Sequence, residues 1–82
     1  MRLKTCIKTF ERPDERAKVT FLDHGSGLYS FEEEQEFHDE VPGIGPYAYW
    51  IPTYVSGLYN DLAAVECEAK AVIPWLRDVS GR

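Results

Sequence analysis

Basic residues are scarce in this chain and cysteines scarcer: 9 Lys and Arg stand against 14 Asp and Glu, with two cysteines in 82 residues. The resulting net charge of −5 argues against a general nucleic-acid binder, which would carry a basic face. Cys6 and Cys67 are too few for the disulfide framework of a small secreted domain, and the plain expectation is two small buried thiols. No apolar run approaches the ~18–20 residues that a membrane helix requires. The first eight residues are charged and lack a continuous apolar segment, so no signal peptide is expected and the expected compartment is the cytoplasm. Catalytic motifs are lacking too: there is no GxSxG, no phosphate-binding glycine loop, no HExxH and no CxxC. The expectation is a protein that is not an enzyme and carries no cofactor.

What the chain does have is a folding composition. Hydrophobic residues make up 44% and aromatics 13%, with 4 Phe, 5 Tyr and 2 Trp. Each large ring buries ~150–250 Å², which lets a short chain build a core without staples. The length fits a single domain over residues 1–82.

Period-two patterning predicts the strands. Residues 3–10 are rich in Thr and apolar side chains, and 11–16 form a charged loop around Pro13 and Asp14. In 17–22, Ala17, Val19 and Phe21 point one way while Lys18 and Thr20 point the other. A glycine turn at 23–27 leads into 28–38, with Tyr29, Phe31, Glu33, Gln35 and Phe37 on one face and a polar second half that projects beyond the core. Residues 41–46 read as a loop. Residues 47–55 have the strongest strand composition, with Pro52 requiring an edge position or a bulge.

A helix comes last. Leu62, Val65, Ala69, Val72, Ile73 and Leu76 fall within an arc of about 100° at helical spacing, one apolar stripe. Asn60 or Asp61 supplies the N-cap, Glu66 and Lys70 form an i,i+4 pair, and Pro74 ends or kinks the helix with Trp75 and Leu76 folding back as an anchor. The expected class is α+β: an antiparallel β-meander of three to four strands with one C-terminal helix packed across one face. This order of elements is similar to that of the double-stranded-RNA-binding fold, of the antidote half of small toxin–antitoxin pairs, and of several small phage proteins that block bacterial defence complexes. The likeness is one of element order, without their sequence motifs, and assigns no family.

Charge is distributed unevenly. Residues 1–18 hold six basic residues (Arg2, Lys4, Lys8, Arg12, Arg16, Lys18) against three acidic ones, while residues 19–82 hold three basic against eleven acidic. Six of the acids, Glu32, Glu33, Glu34, Glu36, Asp39 and Glu40, fall within nine consecutive positions. They can serve as solvated surface partly neutralised by the basic hairpin. They can also form a carboxylate ridge that enters a basic groove on a protein partner. The second candidate surface is the aromatic strand with Tyr47, Tyr49, Trp50 and Tyr54, of which one face is expected under the helix and the other against solvent, a partner or a second copy.

Three further constellations carry reactive or charged groups. Arg2, Lys4 and Lys8, at alternate strand positions, could share a face that touches nucleic-acid phosphates, joined by Arg12, Arg16 and Lys18. His38 with Glu36, Asp39 and Glu40, and His24 with Asp23, carry metal-ligating atoms, but neighbours along a strand diverge and no metal is expected. Cys6 with a histidine base would make a thiol enzyme, against which stands its place in mid-strand. The expected role is a small non-enzymatic interaction domain that presents the acidic strand end and the aromatic edge.

Overall fold

The structure is a computed structural model that describes residues 4–80. Four strands, β1 (Thr5–Glu11), β2 (Ala17–Gly25), β3 (Leu28–Val41) and β4 (Gly45–Val55), form an antiparallel sheet in chain order, followed by α1 (Leu62–Val72) and α2 (Pro74–Ser80). The α+β meander is as the alternation predicts. Three elements differ. The turn expected over 23–27 is strand as far as Gly25, the strand expected to end at His38 runs on to Val41, and half of the loop expected over 41–46 is strand, closed by a tight turn. Pro46 belongs to β4, which an edge strand tolerates because proline's missing N–H faces away from the ladder. In that turn Ile44 donates its N–H to the Val41 carbonyl at 3.0 Å. Pro42 and Gly43 occupy its centre, and Gly43 has φ +84°, the type II geometry that favours glycine there.

Alternate residues of β2 build the core. Ala17, Val19 and Phe21 are buried with Phe31 of β3, Val65 and Ala69 of α1, Ile73, and Leu76 of α2. Phe10, Tyr29, Tyr59, Leu62 and Trp75 close around them. Asp61 is the N-cap, its side chain accepting from the Ala63 N–H at 3.2 Å. Pro74 kinks the helix as expected: Ile73 is extended (φ −119°, ψ 94°), as a residue before proline prefers, and Pro74 then opens α2. The kink returns Leu76 to full burial.

Three expectations about packing are corrected. Val72 lies at the edge of the apolar stripe and is 38% exposed, because the kink replaces it with Ile73 and Leu76. Glu66 pairs with Lys8 of β1. Cys6 and Cys67 are both exposed thiols, one on the edge strand β1 and one on the outer side of α1.

Length decides what the helices cover. At ~3.3 Å per residue the 14 residues of β3 reach about 46 Å, whereas the 11 residues of α1 reach about 16 Å. The distal half of the β3–β4 hairpin therefore extends past the helical layer. The described chain measures 48 × 36 × 16 Å with a radius of gyration of 14.8 Å, against about 12 Å for a compact chain of this length.

Candidate interaction surface

The projecting hairpin carries the aromatic residues, and a bulge sets the face each one occupies. Glu34 pairs with Pro52 while Glu33 pairs with Tyr54, leaving Thr53 as the extra residue. Pro52 thus has both an edge position and an adjacent bulge. Period two across residues 47–55 would place Tyr54 with Trp50. The bulge shifts the parity, and Tyr54 instead joins Tyr47 and Tyr49 on the helix side, stacked on Phe31 with centroids 5.4 Å apart.

Farther out on that face, Phe37 stacks on Tyr49 at 6.1 Å, and Tyr47 lies 5.4 Å from Tyr49. The Tyr49 hydroxyl donates to Asp39 Oδ2 at 2.6 Å. That bond, together with desolvation, raises the phenol above its ordinary ionisation range. Trp50 stands on the opposite face, with Lys18 Nζ 4.8 Å from its ring centroid. The expectation that one face of this strand packs under the helix is corrected: no residue of β4 is buried. Phe37 (38%), Ile44 (78%), Tyr47 (45%), Trp50 (39%) and Ile51 (40%) are all substantially exposed.

The six acids do not form one ridge. Glu33 is on the helix side, 9% exposed, accepting from Thr53 Oγ1 at 2.9 Å and from the Trp75 indole N–H at 2.9 Å. It is a structural residue, and its place in a partner-binding ridge is corrected. Asp39 shares that side. Glu32, Glu34, Glu36 and Glu40 line the open face, where Glu32 lies 3.7 Å from Lys4, Glu34 lies 3.9 Å from Lys18, and Glu36 lies 2.9 Å from His38. The acids on the projecting hairpin are Glu36, Asp39 and Glu40.

The basic hairpin is divided as well. Cys6 opposes Leu22 and Lys8 opposes Phe21, so the bulge at Ile7 turns Lys4 and Lys8 to opposite faces. Their shared face, expected from alternate spacing, is thereby corrected. Lys8 stands over the Phe10 and Phe21 rings and pairs with Glu66, at the rim of a cavity of about 90 Å³ that Lys70 and Leu76 also line. Arg12 binds Asp14 at 2.9 Å, Arg16 is exposed on the loop, and Arg2 lies outside the described residues. His24 bonds Ser30 at 2.6 Å, and among the described residues no three His, Cys, Asp or Glu side chains converge as metal ligands. Cys6 faces Thr9 Oγ1 at 3.4 Å. No helix among the described residues is long and apolar enough to cross a membrane.

No family model, no curated protein and no solved structure matches this chain. The surface has to be read from its own chemistry.

Sequence reasoning finds the exposed Tyr47 and Trp50 and the half-buried Tyr49 but leaves out Phe37, Ile44 and Ile51, which are about as exposed as Tyr47 and Trp50 or more so. A longer third strand places Phe37 and Ile51 on one face beyond any helix of this length, whereas Ile44 lies in the turn that closes the hairpin. The clamp of Glu33, Thr53 and Trp75 gives no local signal: its members are 20 and 42 residues apart.

Proposed function

We propose that this chain is a non-enzymatic interaction domain whose projecting β3–β4 hairpin docks on a protein partner. One observation carries the reading. A hairpin beyond the reach of the helices keeps Phe37, Tyr47 and Ile51 exposed together on the helix side beside Asp39, and Trp50 exposed on the other face beside Glu36 and Glu40. Contiguous apolar exposure rimmed by charge marks interaction sites on small soluble domains, and Tyr and Trp supply much of the binding energy at such sites. The buried clamp and core anchor the proximal half of the same strands. Carboxylates at the rim favour a partner surface that combines apolar and cationic groups.

The test is affinity capture from the native host at low and high salt, using the wild-type chain and a Tyr47→Ser/Ile51→Ser variant. Both positions are exposed and outside the core, so the variant folds. A partner retained by the wild type and lost by the variant supports the reading. Identical partners for both chains overturn it.

A further inference from the structure

The outer edge of β4 has an orientation of its own. Glu36 donates its backbone N–H to the Arg16 carbonyl at 2.9 Å, toward β2, whereas Phe31 donates to Ser56 Oγ at 2.9 Å, toward the β4 side. Even-numbered residues of β3 therefore bond toward β2 and odd-numbered ones toward β4. In an antiparallel ladder the residues that exchange bonds are directly opposed. The opposed pairs are Gln35 with Ile51, Phe37 with Tyr49 and Asp39 with Tyr47. Pro46, Ala48, Trp50 and Pro52 accordingly turn their backbone groups outward, away from the sheet. The two prolines have no N–H to offer, so the outer donors between them are Ala48 and Trp50, and four outward carbonyls complete the edge.

We infer that residues 46–52 of β4 accept one extended segment of a partner protein as a fifth strand, with Lys or Arg side chains on the sheet face opposite the helices. This deepens the proposed docking role and rests on it. Backbone pairing supplies the affinity, and the flanking side chains supply the choice of partner. On the chosen face Ala48 is small, and a long cationic side chain lying over it reaches the ring of Trp50, the carboxylate of Glu40, and the Glu36 carboxylate that His38, directly opposite Ala48, bonds at 2.9 Å. Lys18 already uses Trp50 in this way from within the chain. A second copy is a poor occupant. An antiparallel β4–β4 pair centred on this stretch would set Pro46 opposite Pro52, in molecules that each carry −5. The prolines also limit the length of the added strand, which discourages indiscriminate edge pairing.

The probe is a capped seven-residue peptide of alternating lysine and valine, with its glutamate–valine counterpart as comparison, added to the full chain while backbone amide exchange is followed by NMR. The lysine peptide is expected to slow exchange at Ala48 and Trp50 at least about tenfold, and the glutamate peptide is expected to leave it unchanged. An Ala48→Pro chain, which loses a donor that β3 does not use, is expected to bind the lysine peptide at least about tenfold more weakly with an unchanged thermal midpoint. Binding without slowed exchange at these two amides overturns the edge pairing while leaving the docking role to the capture experiment. Slowing confined to β1, equal slowing by the glutamate peptide, or slowing that grows with protein concentration alone overturns the inference as well, the last result assigning the edge to a second copy. If Ala48→Pro fails to fold, exchange in the wild-type chain decides alone.

Discussion

Trp75 of α2 donates its indole N–H to Glu33 of β3 at 2.9 Å, closing the helical layer onto the middle of the sheet. The other carboxylate oxygen of Glu33 accepts from Thr53 at 2.9 Å, so one acid joins β3, β4 and α2 where the covered half of the sheet meets the bare half. Replacing Trp75 with Phe keeps most of the ring volume and removes the donor. A lost charge-assisted bond costs about 1.5–3 kcal/mol, which for a chain of this size lowers the melting midpoint by roughly 6–24 °C. Thermal unfolding followed by circular dichroism measures it, and a midpoint within about 2 °C of wild type would show that the bond adds nothing.

The kink at Pro74 predicts a contrast between two apolar residues four positions apart. Leu76→Ala opens a cavity in the core and should cost about 2–5 kcal/mol, whereas Val72→Ala, at a position 38% exposed, should cost under about 1 kcal/mol. Denaturant unfolding of both variants checks the contrast. Equal losses would mean that the stripe continues straight through Val72.

Both thiols should be open to solvent. A thiol reagent added to the native protein is expected to modify Cys6 and Cys67 without denaturant, at similar rates and to completion. A thiol that reacts only after unfolding would be buried and would contradict the placement of its strand or helix.

Asp39 ties Tyr49 into the hairpin, and the bond has a pH signature. The folded-state phenol ionises above the ordinary tyrosine range, because Asp39 holds the protonated form and desolvation penalises the anion. A group raised in the folded state gives its full stabilisation below its unfolded pKa and loses it as pH rises through the folded one, so the contribution of Tyr49 fades in the alkaline range. In an NMR titration of the tyrosine rings, Asp39→Asn should lower the Tyr49 midpoint toward that of an ordinary tyrosine. An unmoved midpoint would disconnect the two residues.

Most of the architecture could be read from local pattern because local physics sets it. Alternation in 17–22, the stripe from Leu62 to Leu76 and the positions of Pro52 and Pro74 each constrain one element on its own. The faces of β1 and β4 could not be read in this way, since a single extra residue, Ile7 in one and Thr53 in the other, reverses the side-chain parity of the rest of the strand. The six-acid cluster looked like one feature because sequence proximity hides the two-sidedness of a strand. Burial of Glu33 depends on a helix 42 residues away, which no window on the sequence contains.

β3 is one strand under two regimes. At Ser30, Phe31 and Glu33 its side chains are buried, and substitutions there are felt by the whole fold. From Phe37 to Glu40 every residue is exposed, and nothing in the core leans on them. Mutations toward the tip can accumulate at little thermodynamic cost, so the surface chemistry of the hairpin can change while the half that folds it stays the same.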